Sequence, residues 1–104
     1  MNTTISYRGI TPTKDEKDSV NEASTHFEEF FRNLVSVKWE FHRERRLCIA
    51  SCSLHSKSGF YRARASSEHL ITSVSLVAQK LIKQRRRKKK IIRKQLRKPK
   101  KLGE

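Results

Sequence analysis

Only three glycines occur in these 104 residues, which leaves no material for a glycine-rich phosphate loop. Two cysteines, Cys48 and Cys52, are too few for a disulfide framework. On one strand they would point the same way but sit two pleats apart, about 13 Å, too far to bridge. They read as buried apolar thiols in a reducing cytoplasm. No apolar run approaches the ~20 residues of a transmembrane helix. The opening Met1-Asn2-Thr3-Thr4-Ile5-Ser6 has neither the basic nor the apolar region of a secretory signal. His42, Cys48, Cys52 and His55 offer Cys₂His₂ composition, yet Cys-x₃-Cys along a strand lacks the knuckle turn that zinc needs. Neither a metal nor another cofactor is expected. There is no Ser/His/Asp constellation and no paired-carboxylate site, so the reading is a binding protein and not an enzyme.

The scarcity that matters most is local. Residues 80 to 101 contain no acid and 14 of the 25 Lys and Arg. Residues 1 to 79 hold the other 11 bases against nine acids, a balance of only +2 within a total of +15. Hydrophobic residues are 35% and charged residues 34%, so the chain is one small domain with a small core.

Periodicity supplies the elements. Ile5, Tyr7 and Gly9 suggest a short opening strand. Thr13 followed by Glu16 fits a capping box, and Asp15, Glu16 and Asp18 suit the positive end of a helix dipole. Val20, Ala23, Phe27, Phe30 or Phe31, and Leu34 then form one stripe on a helix of about 20 residues. From Val35 the period drops to two, with Val35, Val37, Trp39 and Phe41 on one face. A second run carries Cys48, Ala50, Cys52 and Leu54, and a third Tyr61, Ala63 and Ala65. Turns of about four residues, at Arg43–Arg46 and Ser56–Gly59, make these three an antiparallel meander. Ser66-Ser67 offers an N-cap to a second helix striped by Leu70, Val74, Val77 and Leu81, which nothing breaks before Pro99.

The expected fold is α+β, in the order β-α-β-β-β-α, with two helices on one face of a four-stranded sheet and a basic C-terminal helix extension. Residues 1 to 83 form the globular domain, with the last helix starting near residue 68. Residues 84 to 104 form a basic extension or tail, helical or disordered in the free protein. The opposite sheet face stays wet and carries Lys38, His42, Arg62 and Arg64. Trp39 and the phenylalanine cluster are assigned to the core.

A solvated helix face mixes charge signs, whereas like charges at i,i+4 destabilise a helix. The run Arg85-Arg86-Arg87-Lys88-Lys89-Lys90 and its continuation therefore call for a polyanion. A membrane surface would require a broad apolar face, and the segment has only Ile91, Ile92 and Leu96. Nucleic acid is the better partner. Three intervening strands exclude a helix-turn-helix. A double-stranded-RNA-binding domain would place its lysines at the start of the last helix, where this chain has Glu68-His69-Leu70.

Several residues in order carry a more specific likeness. They are Gly9 after the first strand, Thr13 opening the first helix, and Val20, Phe27, Phe30 and Phe31 along it. Ser53-Leu54-His55, Tyr61-x-Ala63-x-Ala65 and Lys80-Leu81-x-Lys83-Gln84 complete the series. Over residues 3 to 95 the chain resembles the ribosome hibernation-promoting factor and ribosome-associated inhibitor family, in its short single-domain form. It departs from that family at His69–Ser75, at Gln79, and at Ala23 and His26, where family lysines on the first helix are missing.

The resemblance implies a cytoplasmic, ribosome-associated protein of the bacterial stress and stationary-phase response. It would bind the small ribosomal subunit and its rRNA between head and body, compete there with mRNA and tRNA, and inhibit translation. Lys80, Lys83, Arg87 and Lys89 match family basic positions; Arg86 and Lys90 join them from the charge run, and Arg62 and Arg64 from the wet sheet face. No membrane and no small-molecule substrate is expected, and the free chain would be a monomer lacking the long form's dimerising domain. Two other readings stay open: a general structured-RNA-binding or RNA-chaperone protein, and an interaction module that docks its basic tail on an acidic partner.

Overall fold

The computed structural model describes the backbone of residues 2–97 and the side chains of residues 2–86. Six elements follow in the expected order: β1 (Asn2–Arg8), α1 (Lys14–Phe30), β2 (Leu34–Glu44), β3 (Leu47–Ser56), β4 (Gly59–Ser67) and α2 (Leu70–Arg97). The sheet order is β1-β2-β3-β4. β1 runs parallel to β2 because α1 carries the chain back across the sheet, and β2, β3 and β4 are antiparallel. Both helices pack on one face, giving the two-layer α+β domain. Among the described residues, no helix is long and apolar enough to cross a membrane.

α1 starts where the capping box places it. Glu16 N–H donates to Thr13 Oγ1 at 3.1 Å and Thr13 N–H donates to Glu16 Oε1 at 2.9 Å, satisfying two otherwise orphaned donors. The helix has 17 residues, shorter than the stripe suggested, because Phe31 is already extended at the C-cap. Asn33 takes φ +57°, a left-handed turn that Asn tolerates. Leu34 thus belongs to β2 and not to the helical stripe. A bulge between Leu34 and Ser36 then puts Val35 out of phase, leaving it 38% exposed instead of facing the core.

From Val37 the alternation holds. Val37, Trp39, Phe41, Cys48, Ala50, Cys52, Leu54, Tyr61, Ala63 and Ala65 face Val20 and Phe27 of α1 and Leu70, Val74, Val77 and Leu81 of α2. Stacked or edge-on rings run from Tyr7 through Phe41, Trp39 and Phe27 to Phe31 and Tyr61. Trp39 is fully buried, so its indole N–H needs a partner. Ser24 Oγ accepts from it at 3.1 Å and its hydroxyl donates in turn to Val20 O at 3.0 Å.

The hairpin loops are tighter than expected, only Arg45-Arg46 and Lys57-Ser58. Gly59, at φ +141°, closes the second, where the Ser56 hydroxyl donates to Gly59 O at 3.2 Å. Gly9 follows β1 at φ +66° with open space around its missing side chain, so conformation and not crowding calls for glycine there. At α2, Ser67 ends β4 and accepts from His69 N–H at 3.3 Å. The first intrahelical bond runs from Ser73 N–H to His69 O at 3.1 Å, so His69, not Ser66 or Ser67, occupies the cap.

Phe27→Ala should lower the unfolding free energy by about 3–5 kcal/mol, and Val35→Ala by less than about 0.5 kcal/mol, measured by urea titration. Burial raises the pKa of both Cys48 and Cys52. Their unfolded thiols release protons first, so stability should fall as pH rises above about 8.5. Urea midpoints between pH 7.5 and 10 check this, with a shallower fall expected in Cys52→Ala.

Candidate nucleic-acid interface

The sheet face that carries no helix is organised by strand register into rows. Asn2, Ser36, His55 and Phe60 form the first; Thr4, Lys38, Ser53 and Arg62 the second. Ser6, Glu40, Ser51 and Arg64 form the third, and Arg8, His42, Ile49 and Ser66 the fourth. Arg8, Lys38, Arg62 and Arg64 are exposed on this face against two acids of β2: Glu40, 3.7 Å from Lys38 Nζ, and Glu44, 3.9 Å from His42 Nε2. Ser6, Arg8, Glu40, Phe41, His42, Ser51, Arg62 and Arg64 line a shallow, mostly polar depression of about 260 Å³, in which three arginines outnumber the single carboxylate. Phosphate oxygens suit such a surface: three guanidinium groups offer forked donors, and serine hydroxyls add single ones.

The second basic surface is the far part of α2. The helix has 28 residues, about 42 Å at ~1.5 Å per residue. Its last buried side chain among the described residues is Leu81, and the chain beyond carries no acid before Glu104. Lys80, Lys83 and Arg86 are exposed. Arg87, Lys89 and Lys90 lie on the helical backbone, but their side chains fall outside the described residues. Residues 98 to 104, also part of the expected tail, lie outside them too.

The two surfaces are fastened together at the sheet edge. Gln84 Oε1 accepts from Arg62 N–H at 3.2 Å, and Gln84 Nε2 donates to Arg62 O. One turn earlier, Lys80 Nζ donates to Arg64 O at 2.7 Å. Residues i and i+4 of α2 thus occupy the outward backbone groups of an edge strand, which would otherwise be open to pairing with another chain. An ammonium has three donors, so Lys80 retains two beyond this bond. Arg85 lies over the Phe30 ring, 5.1 Å from its centroid, and pins the start of the basic run to the end of α1.

Charge is segregated elsewhere as well. α1 holds six acids and two lysines, so its solvent face is the wrong one for a polyanion. Phe60, to which sequence reasoning gave no role, is 76% exposed and stacks on His55. Its parity with Arg62 and Arg64 along β4 was the available signal, since alternate residues share a face. Arg8 was missed for a different reason: β1 joins the sheet through a helix, so its register is not legible from local pattern. Among the described residues, no group of His, Cys, Asp and Glu could hold a metal ion.

A sequence profile described as Sigma 54 modulation protein / S30EA ribosomal protein matches residues 3–101. The chain belongs to that family. Two solved structures share the fold. A ribosomal subunit interface protein from Coxiella burnetii superposes with a TM-score of 0.73 at 15% identity, covering 86% of this chain and 98% of that one. The N-terminal domain of Protein Y from Thermus thermophilus gives 0.70, also at 15% identity, over 81% and 94%. No curated relative matches. Family membership accounts for the shared architecture, while the α2 cap on β4 and the basic face are described by this chain's own residues.

Gln84→Ala should cost about 1 kcal/mol in urea unfolding, because it opens the Arg62 edge groups. Lys83→Ala, on an exposed part of the same helix, should stay within about 0.5 kcal/mol.

Proposed function

We propose that this protein binds the small ribosomal subunit through rRNA phosphates, in the channel where mRNA and tRNA lie, and holds idle ribosomes inactive. One observation carries the reading: in a family named for a ribosomal protein, an acid-free helix continues out of the domain beside a basic sheet face. The similar Coxiella protein is named for the ribosomal subunit interface, which supports that location.

In this mechanism the compact domain fills the channel and excludes mRNA and tRNA. Lys80, Lys83, Arg86, Arg87, Lys89 and Lys90 neutralise phosphates along the helix, whose backbone from residue 80 to 97 spans about 27 Å at ~1.5 Å per residue. Arg62 and Arg64 contact a neighbouring stretch of backbone from the sheet. Phosphate contacts supply affinity and register but no sequence information, so specificity for the ribosome comes from the fit of the domain to its channel. The protein acts as a ribosome-bound monomer in the cytoplasm, without a cofactor or chemical step.

Co-sedimentation with purified small subunits at near-physiological salt, with excess unrelated structured RNA, tests the proposal. Stoichiometric binding that survives the competitor is expected; binding lost to it would make the protein a general RNA binder. With six to eight phosphates engaged, log K should fall against log salt with a slope on the order of −4 to −7, and a slope near −1 overturns the mechanism. Charge-neutralising residues 85 to 90 should weaken binding far more than neutralising Arg8, Arg32 and Lys38. Equal losses would place the main contacts on the body instead.

A further inference from the structure

Phe60 sits at the β3–β4 hairpin end of the open sheet face, 76% exposed, in a strand whose next same-face residues are Arg62 and Arg64. Its ring lies parallel to that of His55, with centroids 4.4 Å apart and planes 10° from parallel. Strand pairing explains why the rings meet. Gln84 occupies the backbone N–H and C=O of Arg62, so these groups point outward from the sheet. Phe60, two residues earlier, has the same parity. The facing residues His55 and Phe60 therefore form a non-hydrogen-bonded pair, the closer of the two antiparallel types. The loop beneath is held by the Ser56 hydroxyl, which contacts Ser58 Oγ at 2.9 Å and accepts from Ser58 N–H at 3.2 Å. Lys57 N–H anchors it further by donating to Asn33 O at 3.1 Å.

A cross-strand aromatic pair stabilises its hairpin, but that role is served by the ring faces that meet. His55 covers one face of Phe60, and the high exposure leaves the other in solvent. The ring is thus held at a fixed angle two residues from exposed Arg62 on the same face, with exposed Lys57 in the adjoining loop and no acid in its row or the next. Fixed aromatic surface next to guanidinium and ammonium groups matches an unpaired nucleotide, whose base stacks while its phosphate is neutralised. A duplex offers no free base face, and an acidic peptide would not need the ring.

We infer that the His55–Phe60 pair is a stacking platform for one unpaired RNA base, with Arg62 and Lys57 meeting the adjoining phosphates. This rests on the RNA-binding reading above and extends it from phosphate contact to base contact. It gives the sheet face a role separate from that of the α2 extension: the helix follows the backbone, and the platform selects a place where a base is unstacked.

The test uses the full chain, an eight-nucleotide uridine RNA, and the same octamer with every base removed. Phe60→Ala should weaken binding of the uridine octamer about tenfold, and Phe60→Trp should preserve or tighten it. Affinity for the abasic octamer should be the same in all three proteins. The salt slope on the uridine octamer should not change in Phe60→Ala, since stacking releases no counterions. Equal binding of the uridine octamer by wild type and Phe60→Ala overturns the platform while leaving phosphate binding intact. An equal loss on both octamers also overturns it, because the ring would then act only through the fold. Failure of the wild type to bind either octamer or the small subunit overturns the RNA-binding reading and the platform with it.

Discussion

The register of β2 is the constraint on which the rest of this structure depends. β2 joins the parallel pair with β1 to the antiparallel pairs beyond it, and a slip of one residue would exchange its two faces. The bulge at Val35 sets the phase. Val37, Trp39 and Phe41 then enter the core while Ser36, Lys38, Glu40 and His42 stay on the open face. Trp39 locks the choice, because its indole N–H finds Ser24 of α1 only in this register. An alternative phase would bury a lysine and a glutamate and expose a tryptophan, several kcal/mol in the wrong direction. The positions of Arg62, Arg64 and Phe60 follow from this choice through the β3 ladder.

α2 does two jobs that its sequence keeps in separate segments. Its first three turns bury Leu70, Val74, Val77 and Leu81 in the same core as Ala50, Ala63 and Ala65, and its Ser73 hydroxyl donates to Cys48 O of β3 at 2.8 Å. At Lys80 and Gln84 the same helix turns to the strand edge and occupies backbone groups with polar side chains. Beyond them the sequence is all base and no acid until Glu104. Like charges at helical spacing repel, so the helix begins this stretch anchored by packing, by two edge contacts and by the Arg85–Phe30 contact. A polyanion would relieve the remaining repulsion.

Acids and bases are sorted by element. α1 carries acids to its solvent face and gives Trp39 its partner, whereas α2 has bases and no acid, and on the open sheet face Arg8, Lys38, Arg62 and Arg64 outnumber Glu40 and Glu44. A domain of near-neutral body charge can therefore present a basic face and an acidic one on opposite elements.

Element order, the two helical stripes, the capping box and the pairing of the last three strands were legible because each depends on spacing within a single segment. Thr13 with Glu16, or Trp39 with Phe41, signals its environment from neighbours along the chain. The charge run was legible for the same reason: it is contiguous. The residue order that identified the family was likewise a one-dimensional signal. Other features arise between segments that are distant in sequence. The bulge at Val35 results from fitting β2 to both Ser56 and His55. Lys80 and Gln84 bear on Arg64 and Arg62, residues 16 and 22 positions away. Phe60 shares its parity with Arg62 and Arg64, but only the ladder sets it opposite His55, where the two rings stack. By itself, then, the sequence determined the elements, their order, the apolar faces and where the charge lies, all consequences of local periodicity and composition. Tertiary structure alone decided which polar groups meet, which edge is covered and which aromatic ring remains open to solvent, because those depend on the register between strands and on the angle at which a helix crosses them.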